Sequence, residues 1–159
     1  MPSLNELLAP HIASLIRYAS ALTGDPEEAC DLVEDTVSNA QARAGEWRRD
    51  SDLRVWLLTL LHEELDNPFR RADPLASASA PALDPESSLR LSDLDRALRQ
   101  LPEAQRAVIL LIGLEGMSYE NTAAILGISV GAMRWRMTRA REQLRRMMGV
   151  REPQARKAA

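Results

Sequence analysis

Residues 118–148 read SYENTAAILGISVGAMRWRMTRAREQLRRMM, and this stretch decides the fold. Ser118 is a good N-cap for a short helix running through Tyr119, Thr122, Ala123, Ile125 and Leu126. Gly127 ends that helix because, lacking a Cβ, it suits the left-handed conformation of a tight turn. Ser129 caps a second helix, predicted over Val130–Met148. Two helices joined by a glycine turn place the second steeply across the first, so that its exposed N-terminal face can enter a DNA major groove. Ala123 and Ala124 are small enough for close packing of the two helices, and Ile128 and Met133 supply apolar contact between them. The second helix carries Arg134, Arg136, Arg139, Arg141, Arg145 and Arg146. Guanidinium groups grip phosphates, or donate two hydrogen bonds to guanine when aimed into the groove. The plainer alternative is a solvated arginine-rich helix that binds nothing.

Upstream, Pro102-Glu103 opens a helix through Ala107, Val108, Leu110, Leu111 and Ile112 to Gly113 or Gly116, and Leu91–Leu101 forms an amphipathic helix before it. Before these lies ADPLASASAPALDP, residues 72–85, rich in Pro, Ala and Ser and without a helical apolar stripe. It reads as a flexible tether, with a surface loop inside one domain as the alternative. The N-terminal part is a small bundle. A helix is predicted over Leu4–Thr23, a second from Asp25-Pro26 to Ala44 with Glu27 and Glu28 in its first turn, and a third from Asp52 until Pro68 disturbs it. The expected organisation is a bundle over 1–71, a linker over 72–90, a helix-turn-helix domain over 91–148 and a disordered tail over 149–159.

Composition agrees with an all-α chain of two small domains. Apolar residues are 45% and aromatics only 4%, and no alternating β-branched run suggests a strand. The net charge of −3 conceals a split: residues 1–71 carry −6, residues 72–92 carry −2 and residues 93–159 carry +5. A basic end attracts phosphate and an acidic end is repelled by it, so the two ends are expected to meet different partners. Cys30 is the single cysteine, which excludes an intramolecular disulfide, and no Cys/His spacing suggests a metal site. No apolar run approaches the ~20 residues of a membrane span, and no signal segment is evident, so a cytoplasmic protein without membrane insertion is expected. Neither a phosphate-cradling glycine loop nor a catalytic triad pattern is present. No enzymatic role and no cofactor are expected.

Leu101-Pro102-Glu103-Ala104-Gln105-Arg106 through Gly116-Met117-Ser118-Tyr119-Glu120, then Gly131-Ala132-Met133-Arg134-Trp135-Arg136 and Arg139-Ala140-Arg141, resemble region 4 of the extracytoplasmic-function sigma factors of the sigma-70 family. The resemblance implies a module that reads the −35 promoter element as duplex DNA and touches RNA polymerase. It makes Ser129, Gly131, Ala132, Arg134, Trp135, Arg136, Arg139 and Arg141 the DNA-binding candidates, led by Arg134 and Arg136. Trp135 departs from the small polar residue usual there.

Tyr18-Ala19-Ser20-Ala21-Leu22-Thr23-Gly24-Asp25, followed by Glu28-Ala29-Cys30-Asp31-Leu32-Val33-Glu34-Asp35-Thr36, is similar to region 2 of the same family. This implies that Asp31, Leu32, Val33, Asp35 and Thr36 dock on core RNA polymerase. Residues 53–64 look like the helix that recognises and melts the −10 element, with Trp56, His62, Asn67, Arg70 and Arg71 as candidate contacts. Glu63, Glu64, Asp66 and Pro68 depart from the family pattern there. Read from the residues alone, Trp56 and His62 fit packing roles as well. An anti-sigma factor is a further implied partner. The alternatives are a sigma-like decoy that sequesters an anti-sigma factor, and a helix-turn-helix regulator.

Overall fold

The computed structural model describes residues 1–70 and 88–149, and the side chains of 88–92 fall outside that description. The order is α1 (Leu4–Leu8), a 3-10 turn (Ala9–His11), α2 (Ile12–Thr23), α3 (Pro26–Ala42), a second 3-10 turn (Ala44–Glu46), α4 (Leu53–Leu65), α5 (Ser88–Gln100), α6 (Glu103–Gly113), α7 (Tyr119–Leu126) and α8 (Val130–Met147). The chain is all-α, and no strand occurs among the described residues.

Local chemistry accounts for most boundaries. Ser3 and Glu6 form a reciprocal capping box at α1, and the side chains of Asp25, Asp52, Ser118 and Ser129 each accept from a first-turn backbone N–H. Gly24 and Gly127 close α2 and α7 at φ 75° and 65°, where a Cβ would be strained. The single helix expected over Leu4–Thr23 is broken instead. Pro10 has no N–H to donate and its ring crowds the preceding turn, so the chain tightens into a 3-10 turn before α2 resumes. The second helix stops at Ala42 rather than Ala44, and α5 starts at Ser88, inside the stretch read as linker. The rest of that linker, and the tail beyond Gly149, lie outside the described residues.

Helix α4 explains the packing. Leu57, Leu58, Leu60, Leu61 and Leu65 are buried and Leu53, Val55 and Trp56 are half-buried, so apolar side chains leave α4 in nearly every direction. A helix of that kind must be covered on more than one side. Here α3 covers one side and α7 another, while α2 packs on both α3 and α6. One apolar core consequently runs from Leu15, Leu22, Leu32 and Leu61 of the first module into Leu110, Leu111, Met117 and Ile125 of the second. A smaller cluster of Val108, Ala123, Met133 and Met137 holds the helix-turn-helix together. Ala123 is buried there, but Ala124 is exposed and contributes nothing to that contact.

Tyr18, His62 and Arg106 bring polar groups into this core and find partners there, whereas the Thr122 hydroxyl is buried with no hydrogen-bond partner among the described residues. The Tyr18 hydroxyl and His62 Nε2 meet at 2.7 Å, with both residues buried. Desolvation drives the Tyr18 phenol far above its ordinary range and pushes His62 down from 6.5 to about 4. Arg106, at the start of α6, donates to the carbonyls of Leu98, Arg99 and Leu101 at the end of α5 and to that of Leu22 at the end of α2. It thereby satisfies carbonyls that the two helices leave open.

The depressed His62 value sets a pH dependence. Between pH 6.5 and about 4 the unfolded chain binds a proton that the folded one refuses, so this contribution is complete above 6.5 and is lost as pH falls. Over that window it amounts to about 3 kcal/mol. In His62→Gln, which keeps a hydrogen-bonding group but cannot titrate, urea midpoints measured at pH 7 and pH 4.5 should differ less than in the parent chain.

Candidate nucleic-acid interface

The buried stripe of α8 is formed by Met133, Met137 and Ala140, with Leu144 half-buried in line with them. That spacing fixes where the arginines stand. Arg134, Arg139, Arg141 and Arg146 project on the exposed side, with Trp135 beside them at 60% exposure. Arg136 falls at the margin of the buried stripe and is half-buried. The Arg134 guanidinium lies 5.8 Å from the ring centre of Tyr119, and the Arg139 guanidinium lies 5.0 Å from that of Trp135. These contacts hold the two charges against aromatic faces without neutralising them. Among the described residues, no ion pair engages Arg134, Arg136, Arg139 or Arg141.

At the N-terminus of the same helix, Ser129 accepts from Ala132 N–H at 3.1 Å, and Gly131 and Ala132 are exposed. This turn of bare backbone and small side chains leaves room for close approach by a ligand. The positive end of the helix dipole adds to the arginine field there. The whole face suits a polyanion of regular shape.

The first module presents the opposite charge. On α3, Asp31, Glu34 and Asp35 are exposed, whereas Leu32, Val33 and Thr36 are buried and the Thr36 hydroxyl donates to Leu32 O at 2.7 Å. Arg70 lies along this surface, donating to Asp35 at 3.1 Å and to Glu28 O at 3.2 Å. It therefore sits on α3 rather than on the α4 face for which it was a candidate. Asn67 caps a turn by accepting from Phe69 N–H at 3.1 Å, and Arg71 lies outside the described residues. Trp56 is half-buried and stacked on Trp47, the ring centres 6.4 Å apart. His62 is turned inward against Tyr18.

Two features escape a reading of the sequence. A cleft of about 310 Å³ opens beside the contact of α4 with the second module, lined by Glu63, Asp66 and Glu103 together with Arg136. Beyond it, Glu115, in the loop between α6 and α7, has its side chain only 2% exposed and meets Arg54 and Ser14 of the first module. No local pattern flags Glu115, because an acidic residue between Leu114 and Gly116 reads as a solvated loop. Among the described residues, no three His, Cys, Asp or Glu side chains converge as a metal site requires.

Comparison with known proteins adds an independent line. Residues 91–144 match the family described as Sigma-70, region 4, and residues 8–62 match the Sigma2 domain of PhyR. The chain is similar to the ECF RNA polymerase sigma factor EcfG of Rhodopseudomonas palustris, 31% identical over 156 residues that cover 93% of this chain and 86% of that one. Among solved structures it resembles the sigma factor RpoE of Bartonella quintana in complex with the anti-sigma factor NepR. That match has a TM-score of 0.79 and 32% identity, and covers 94% of this chain and 98% of that one. It also resembles CnrH in complex with the cytosolic domain of CnrY, with a TM-score of 0.69, 28% identity and coverage of 93% and 88%.

The cap that orients the basic helix has a measurable weight. Ser129→Ala removes the acceptor for Ala132 N–H and should cost about 1 kcal/mol, which lowers Tm by about 2–4 °C for a chain of this size in a thermal melt followed by circular dichroism.

Proposed function

The chain belongs to the extracytoplasmic-function RNA polymerase sigma factors, and from that premise we propose how its two modules divide the work. As a sigma factor it directs promoter recognition and transcription initiation, with core RNA polymerase and promoter DNA as its partners. The second module, residues 91–148, lays α8 in the major groove of the −35 element. Arg134, Arg139 and Arg141 meet phosphates or base edges across the exposed face, with Trp135 among them and Arg136 at its margin. Ser129, Gly131 and Ala132 admit the DNA backbone to the helix N-terminus. The observation that carries this reading is the solvent-facing arginine surface of α8, free of carboxylate partners at Arg134, Arg136, Arg139 and Arg141 among the described residues.

In the first module, residues 1–71, the exposed carboxylates Asp31 and Asp35 form the polar part of the core-polymerase interface. Leu32, Val33 and Thr36 act behind them by fixing α3 on the bundle. The −10 contacts fall to the region of α4 and the turn after it, where Trp56 offers a stacking surface. An anti-sigma factor is a further partner, as in the complex of the related RpoE with NepR, and the place of action is the cytoplasm, where the polymerase is.

Arg134→Ala combined with Arg136→Ala should weaken binding of the full chain to a cognate promoter duplex. It should also flatten the plot of log affinity against log salt by up to about two units, one for each phosphate that is no longer neutralised. An unchanged slope and affinity would remove α8 as the reading helix. Lysine at both Asp31 and Asp35 should reduce association with core polymerase by at least about tenfold in a pull-down titration, while duplex binding is retained. Polymerase binding that survives both substitutions would dismiss the α3 assignment.

The match of residues 8–62 to the Sigma2 domain of PhyR favours one other reading, a decoy that occupies an anti-sigma factor. Transcription in vitro with purified core polymerase separates the two: a sigma factor starts transcripts from its promoter and a decoy starts none.

A further inference from the structure

We propose that Trp135 is a base-reading residue: its indole recognises the 5-methyl group of a thymine in the upstream promoter element, and its ring holds Arg139 in position beside it. The inference rests on the reading above that α8 enters the major groove, and it names what the middle of that helix reads. Helical periodicity puts Trp135 at the centre of the outward face. At about 100° per residue, Gly131, Ala132, Thr138 and Arg139 lie within about 60° of its direction, Arg134 and Arg136 stand about 100° to either side, and the buried Met133 and Met137 lie behind it. Trp135 is 60% exposed, and its neighbours one turn toward the helix N-terminus are the exposed Gly131 and Ala132, which leave that flank of the ring open.

A helix seated in a major groove turns its middle to the base edges and its flanks to the phosphate walls. Arg134 and Arg136 fit the walls, and Arg134 is drawn further aside by the Tyr119 ring, whose centre is 5.8 Å from its guanidinium. Trp135, Thr138 and Arg139 are left opposite the bases. The Thr138 hydroxyl turns back to donate to Arg134 O at 3.0 Å, and the indole is the largest apolar group on this stripe.

The groove floor offers an indole one kind of site. Every recognition group there is a hydrogen-bond donor or acceptor except the C5-methyl of thymine. A ring pressed on the polar edges displaces their water and, with a single N–H donor of its own, replaces little of it. Against a methyl group the same ring removes apolar surface from water on both partners. Arg139, four residues on, has its guanidinium 5.0 Å from the Trp135 ring centre. A guanidinium stacked in this way keeps its N–H groups in its own plane, free to donate to an acceptor edge or a phosphate beside the methyl. Because the two side chains already hold each other, less ordering is required when DNA arrives.

The test uses the full chain assembled with core polymerase and a pool of promoter duplexes randomised across the upstream element. The site selected by the parent should contain a thymine whose replacement by deoxyuridine, which removes only the methyl group, weakens binding about fourfold, the effect of one buried methyl. In Trp135→Ser, thymine and deoxyuridine at that position should bind alike, and Trp135→Phe should restore a preference for thymine. The plot of log affinity against log salt should keep the parent slope in Trp135→Ser, since no charge that meets a phosphate is removed. Circular dichroism monitors folding of the variants, and the deoxyuridine comparison on the parent depends on no variant. A selected site in which every thymine tolerates deoxyuridine would overturn the assignment, as would a folded Trp135→Ser chain that still prefers thymine as strongly as the parent. If the parent assembly selects no upstream sequence at all, the placement of α8 in the groove fails and this proposal falls with it, an outcome distinct from a selected site that is blind to the methyl.

Discussion

A helix whose apolar side chains leave it in nearly every direction has to be covered on more than one side, and α4 imposes that demand on everything around it. Neither module meets it alone. Each is a handful of short helices, in the size range where a single core buries too little surface to be secure. Sharing one core relieves both: α4 receives α7, and Leu110, Leu111, Met117 and Ile125 receive α2 and α4. The position of the second module follows from this apolar demand and from the polar groups that the contact traps.

Those trapped groups show how the fold handles burial of polarity. Tyr18 and His62 satisfy each other inside the first module, and His62 stays neutral because its charged form would be stranded without water. Arg106 is tolerated because four backbone carbonyls surround it. Arg106 takes one of its partners, Leu22 O, from across the boundary, and the Glu115 side chain takes its partners Arg54 and Ser14 from there. A buried carboxylate whose partners sit on the other module ties the two modules together at that point, because a lost partner leaves a charge desolvated and unpaired.

Outside the core, charge sorts by face. On α8 the methionines and Ala140 face inward, so the arginines face out without any further constraint, and on α3 the buried Leu32, Val33 and Thr36 turn Asp31, Glu34 and Asp35 toward solvent. A sigma factor needs such opposed surfaces, since its two partners are an enzyme surface and a polyanion.

Much of this was written in local chemistry. The helix-turn-helix, its caps at Ser118 and Ser129, the left-handed Gly127, the caps at Asp25 and Asp52 and the outward arginines all depend on residues within a turn or two of each other, and periodicity exposes such relations. The break at Pro10 was legible too, yet a strong apolar stripe on both sides of it hid the interruption. What only tertiary structure decided are relations between residues far apart in the chain: Arg70 lying on Asp35, His62 turning in to Tyr18, Trp56 stacking on Trp47, Ala124 left facing the cleft, and Glu115 buried against Arg54. Each depends on which surface another helix brings opposite. The amino-acid order does not announce that the two modules meet, because the apolar side chains that drive the meeting are non-directional and read the same whether a module covers its own core or borrows its neighbour's.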